Sequence, residues 1–103
     1  MKELVTYEMS KKLQEKGFPQ HLSENFYADG SEVATPTIYE VMEWFRNYKN
    51  IHVEIRLFFK KSFGFDIISI DDMKKLGWSG TITYPRYELC AISAINYVID
   101  KII

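Results

Sequence analysis

By type and spacing, the residues best suited to chemistry in this sequence are His52, Glu54 and Arg56. They alternate with Ile51, Val53, Ile55, Leu57 and Phe59. That two-residue period sets the three ionisable side chains in a row on one strand face, about 6.5–7 Å apart. Cross-strand partners such as Asp66 fall within reach. An imidazole oriented by a carboxylate could serve as a general base. The solvated face of an antiparallel sheet produces the same row, however, and no pattern in the chain announces a pocket.

Other chemistry finds less support. His21, His52 and Cys90 are the available soft or borderline metal ligands, and none sits at a ligand spacing. Asp71–Asp72 lacks the alternating oxygens and glycine of a calcium loop and reads as a strand-end turn. Cys90 falls in a helical stretch and reads as a structural thiol. The five glycines, at 17, 30, 64, 77 and 80, fit caps, turns and strand positions and make no phosphate loop. Lys60 and Lys61 beside Phe58, Phe59 and Phe63 form a small basic–aromatic patch able to stack single-stranded bases. The formal net charge of −1 opposes a nucleic-acid role. No metal, cofactor or small-molecule ligand is indicated.

The elements that must position these residues centre on TPTIYEVMEWFRNYKNIHVEIRLFF, residues 35–59. Thr37 and Glu40 have capping-box spacing, and Pro36 suits the entry to a helix. Ile38, Val41, Met42, Phe45 and Tyr48 recur at helical spacing, with Trp44 at the edge of the stripe. The period changes to two at Ile51, which predicts a half-buried antiparallel strand. Upstream, Leu4, Val5, Met9 and Leu13 predict a helix over about 2–16, closed by Gly17 and Pro19. Asp29–Gly30 between two short arms predicts a hairpin. Downstream, 63–70 predicts a second strand. There Phe63, Phe65 and Ile67 share one face while Ile68 and Ile70 take the other, so either a bulge lies near Ile67 or both faces are covered. Residues 73–76 read as a helical turn before Gly77, 80–84 (GTITY) as the third strand, and 86–101 as the last helix.

TPTIYEVMEWFR followed by NIHVEI, with Tyr87, Glu88, Ala91 and Ala94 near the start of the last helix, carries a resemblance. It spans about the C-terminal two-thirds of the chain. The chain resembles a group of small proteins encoded by phages and mobile elements of gut bacteria. The resemblance implies a compact α+β fold and a mobile-element setting, and it carries over no catalytic residue. Arg86 departs from the small capping residue usual in that group.

At 103 residues the chain suits one domain, 1–103, with a core that needs neither metal nor disulfide. Its aromatic content of 16% exceeds what a small core needs, which points to an aromatic surface. A lone cysteine excludes an internal disulfide and suits a reducing cytoplasm. The polar start, MKELVTYEMSKKLQEK, has no signal-peptide core, and no apolar run approaches the ~20 residues of a membrane span. The expected fold is an α+β two-layer sandwich: a three-stranded antiparallel meander, a short N-terminal hairpin, and three helices on one face. Phe58, Ile68 and Ile70 then fall on the uncovered face unless a bulge turns the isoleucines inward. With Tyr84 and the row His52, Glu54 and Arg56 they make a candidate protein interface, to a partner or to a second copy.

Overall fold

The computed structural model describes residues 3–20 and 33–103. The hairpin expected around Asp29–Gly30 lies outside them. Helix α1 (Tyr7–Glu15) starts later than its apolar pattern suggests. Thr6 caps it, its hydroxyl accepting the Met9 N–H at 3.2 Å. The residues before Thr6 run extended beside the entry to the next helix, with Val5 N–H donating to Pro36 O and Ile38 N–H to Glu3 O. At the other end Gly17 adopts φ +93°. Phe18 N–H then reaches Leu13 O and Gly17 N–H reaches Gln14 O, the paired bonds of a Schellman stop. Phe18, delivered by that turn, packs edge-on against Trp44 with ring centroids 5.3 Å apart.

Helix α2 (Ile38–Lys49) has the complete capping box. Glu40 N–H donates to the Thr37 hydroxyl at 3.1 Å, and Thr37 N–H donates to the Glu40 carboxylate at 2.8 Å. Ile38, Val41, Met42, Trp44 and Phe45 are buried, whereas Tyr48 faces water. Asn50 ends the helix in the left-handed region (φ 55°), and strand β1 (Ile51–Phe59) begins at the next residue.

Strand β2 (Ser62–Ser69) pairs antiparallel with β1 in unbroken register from Ile51↔Ser69 to Leu57↔Phe63. The one slip lies at the hairpin end, between Leu57 and Phe59, before the Lys60–Lys61 turn. A bulge does occur beside Ile67, but in the neighbouring strand: Ile67 faces Gly77 and Ile68 faces Lys75, which leaves Leu76 as the extra residue. The isoleucines are therefore not turned inward. Phe65 and Ile67 line the core while Ile68 stands opposite His52 on the other face.

The third strand is not GTITY. It is β3 (Lys75–Trp78), in the stretch that reads as a helical turn, and the sheet order is β1-β2-β3. A tight turn feeds it, with Met73 at φ 61° and Ser69 N–H donating to Lys74 O. Residues 79–83 form a loop held to β2 at its two ends: Ser79 bonds with Phe65, and Tyr84 exchanges both backbone bonds with Phe63. Gly77 explains the choice: with no side chain it admits the ring of Tyr97 against the inner side of β3. Helix α3 (Tyr87–Tyr97) continues into a π-helical turn, Val98–Ile102. Its small Ala91 and Ala94 are fully buried, with Cys90, Ile95, Val98 and Ile99 around them. One core joins α1, α2 and α3 to Ile51, Val53, Phe65 and Ile67. Among the described residues the fold is the expected α+β arrangement of three helices and a three-stranded antiparallel meander, with a radius of gyration of 13.6 Å.

Candidate interaction surface

The strand period gathers His52, Glu54, Arg56 and Phe58 of β1 on the side of the sheet away from the helices, because Ile51 and Val53 are held by the core. Register then sets Ile68 opposite His52, Asp66 opposite Glu54, and Gly64 opposite Arg56. On β3, Trp78 stands beside Asp66 and Lys75 beside Ile68.

These side chains form an ordered polar line rather than a loose solvated row. The Arg56 Nε lies 2.9 Å from one oxygen of Asp66, and the Lys75 Nζ lies 3.3 Å from the other. A single carboxylate thus ties all three strands together. Its side chain is only 13% exposed although it projects from the open face. His52 Nε2 and Glu54 Oε2 stand 2.8 Å apart along β1. The cations also cover aromatic rings, Arg56 over Phe58 at 5.5 Å and Lys75 over Trp78 at 5.1 Å. Phe58 leans over Gly64, where an added Cβ would stand 3.7 Å from its ring.

Exposed apolar groups border this line and continue onto the other side of β1. Leu57, Phe59 and Trp78 are 64%, 68% and 57% exposed, and Ile70, Met73 and Leu76 are exposed in and beside the β2–β3 turn. Leu57 and Phe59 belong by parity to the core side. They reach water because β1 runs on past the helices that cover Ile51 and Val53.

Tyr84 takes a different place from its expected interface partners. It packs on the core side, its ring stacked on Phe65 at 6.4 Å. The basic–aromatic patch is also divided. Phe63 turns inward against Tyr87 at 5.9 Å, which leaves Lys60 and Lys61 with the exposed Phe58 and Phe59.

Cavities of about 280, 290 and 320 Å³ lie along the outer side of α2, between the 79–84 loop and α3, and at β3 beside Tyr97; His52 lines none of them. Cys90 is fully buried, and burial pushes its thiol up to about 11, away from the reactive thiolate. Among the described residues no three His, Cys, Asp or Glu side chains stand together as metal ligands. Among the same residues, no helix is long and apolar enough to cross a membrane.

Sequence reasoning missed Lys75 and Trp78, because both fall in a stretch that does not alternate. The one available signal was Trp78 itself, a large aromatic next to a Ser-Gly turn. No protein-family model, curated protein or solved structure matches the chain.

Proposed function

We propose that the protein is a non-enzymatic interaction module that binds a protein partner through the open face of its sheet. The observation that carries this reading is the exposed aromatic and aliphatic rim around the fixed Arg56–Asp66–Lys75 line. Interfaces favour aromatic residues and arginine, and a charge held by its own neighbours costs little further ordering when a partner arrives. Phe58 and Trp78 are the anchoring groups, Ile68 lies one row beyond Trp78 between His52 and Lys75, and His52 and Glu54 give polar specificity at the rim. The resemblance of residues 35–46, 50–55 and 87–94 to phage- and mobile-element-encoded proteins favours action in the cytoplasm of a bacterial host.

A photo-crosslinking amino acid placed singly at Phe58, at Trp78 and at Glu15 tests the assignment in such a host. Glu15 is exposed on α1, in the helical layer. Adducts to a defined protein from positions 58 and 78, but not from 15, are expected. Equal labelling from all three sites, or none from the sheet, would overturn it.

A further inference from the structure

We infer that the tip of the β1–β2 hairpin, residues 57–61, docks on the surface of an anionic lipid bilayer. This goes beyond the protein-partner reading, which leaves Leu57, Phe59, Lys60 and Lys61 unused.

β1 ends on three consecutive large apolar residues, Leu57, Phe58 and Phe59, which are between 49% and 68% exposed. The register slips between Leu57 and Phe59, and such a bulge bends the strand and splays its side chains. Phe63 on the other arm turns inward to Tyr87, so the exposed apolar groups are confined to the end of β1. The turn that follows is Lys60–Lys61, both exposed. Lys60 holds φ 47°, a conformation that asparagine or glycine adopts at much lower cost. The hairpin thus keeps charge at its apex at the expense of backbone strain, which is the mark of a functional turn.

Charge is sorted along the chain in the same sense. Residues 55–65 contain Arg56, Lys60 and Lys61 and no Asp or Glu. That stretch carries +3, which leaves −4 on the remainder of a chain whose formal total is −1. An anionic surface therefore attracts the tip and repels the rest, and the molecule meets it tip first.

The chemistry of the tip suits the boundary between headgroups and acyl chains. Lys60 Nζ lies 5.7 Å from the Phe59 ring centroid, and the Arg56 guanidinium lies 5.5 Å from that of Phe58. Ring and cation share one level, with the basic stems along apolar surface and their heads free to reach phosphate. At about 3.3 Å per residue, the stretch from Leu57 to the turn spans about 10 Å, against an interfacial burial depth of about 5–10 Å. Apolar side chains and a basic cluster together supply the two signals that lasting attachment requires. Single-stranded nucleic acid fits the tip less well. Leu57 has no face for a base to stack on, Phe63 is withdrawn, and Arg56 and Lys60 already lie over the two rings. None of the three cavities reaches residues 57–61, so the tip offers no socket for a partner's side chain.

Co-sedimentation of the full chain with vesicles tests this, using phosphatidylcholine alone and phosphatidylcholine mixed equally with phosphatidylglycerol. Binding is expected to the mixed vesicles only, and should be lost at about 1 M salt. Phe59→Ser should weaken it about tenfold or more, and Lys60→Asn with Lys61→Gln about thirtyfold. Asparagine tolerates the positive φ of Lys60, and all three positions are exposed, so circular dichroism should show both variants folded. A second readout leaves the lysines in place: Phe59→Cys carrying an environment-sensitive dye, with Cys90 buried out of reach, should shift to the blue on mixed vesicles. No binding to the mixed vesicles overturns the inference, as does binding that Phe59→Ser or the lysine pair leaves unchanged. An unshifted dye on bound protein also overturns it. Salt-sensitive retention of an oligothymidylate without vesicle binding would assign the tip to nucleic acid instead. Cross-linking from position 78 judges the protein-partner reading separately from any of these results.

Discussion

Gly77→Ala should destabilise the protein by about 1–2 kcal/mol, although alanine is ordinarily the better strand residue. Gly77 lies on β3 opposite the fully buried Ile67, with no positive φ to require glycine. The obstacle is Tyr97: an added Cβ would stand 2.6 Å from its Cζ and 2.7 Å from its Oη. The ring cannot retreat freely, since it also packs edge-on against Phe65 at 5.9 Å. Overpacking of this kind costs about 1–3 kcal/mol. Alanine's smaller backbone entropy loss returns about 0.5–1 kcal/mol. In a Tyr97→Ala background the clash disappears, and Gly77→Ala should become neutral or stabilising by up to about 1 kcal/mol. The coupling is therefore about 2 kcal/mol, well above the few tenths expected of independent sites. Urea unfolding of the four proteins in this double-mutant cycle measures it. An equal cost of Gly77→Ala in both backgrounds would refute the claim that Tyr97 determines which segment becomes the third strand.

Three further outcomes follow from local features. Thr37→Ala breaks the capping box and should cost about 1 kcal/mol in urea unfolding, with the loss reduced in a Glu40→Ala background. Asn50→Gly should be neutral within a few tenths of a kcal/mol, whereas Asn50→Val should cost at least about 1–2 kcal/mol, because a β-branched residue resists φ 55°. Burial raises the Cys90 thiol from 9.0 to about 11, so the native state keeps a proton that the unfolded chain releases. Stability should thus be intact below pH 9 and fall as pH rises from 9 toward 11; Tyr87, raised first by its own burial and next by Glu54, acts in the same direction. Iodoacetamide at pH 8 should label Cys90 only as fast as the protein unfolds, and rapid labelling of folded protein would contradict the burial.

The features that sequence alone determined are those settled within one or two turns of chain. Thr37 and Glu40 can satisfy each other wherever the helix sits. Gly17 can take its positive φ whatever packs above it. The change of period at Asn50 assigns Val41, Met42, Phe45, Val53 and Ile55 to one side by geometry internal to each element. The row His52, Glu54 and Arg56 was legible for the same reason, and so was its reach to Asp66.

What the tertiary structure decided are the competitions between segments. Lys75–Trp78 and Gly80–Tyr84 both could edge the sheet, and the choice depends on Tyr97, some twenty residues away, needing a bare backbone to lie on. That choice brought Lys75 to Asp66 and set Trp78 on the open face, where no local pattern would have put them. It left Tyr84 to stack on Phe65 instead of joining Trp78 on the open face. Leu57 and Phe59 have the parity of core residues, and parity is a property of the strand. Their exposure is a property of where the helices stop, which no alternation within β1 encodes.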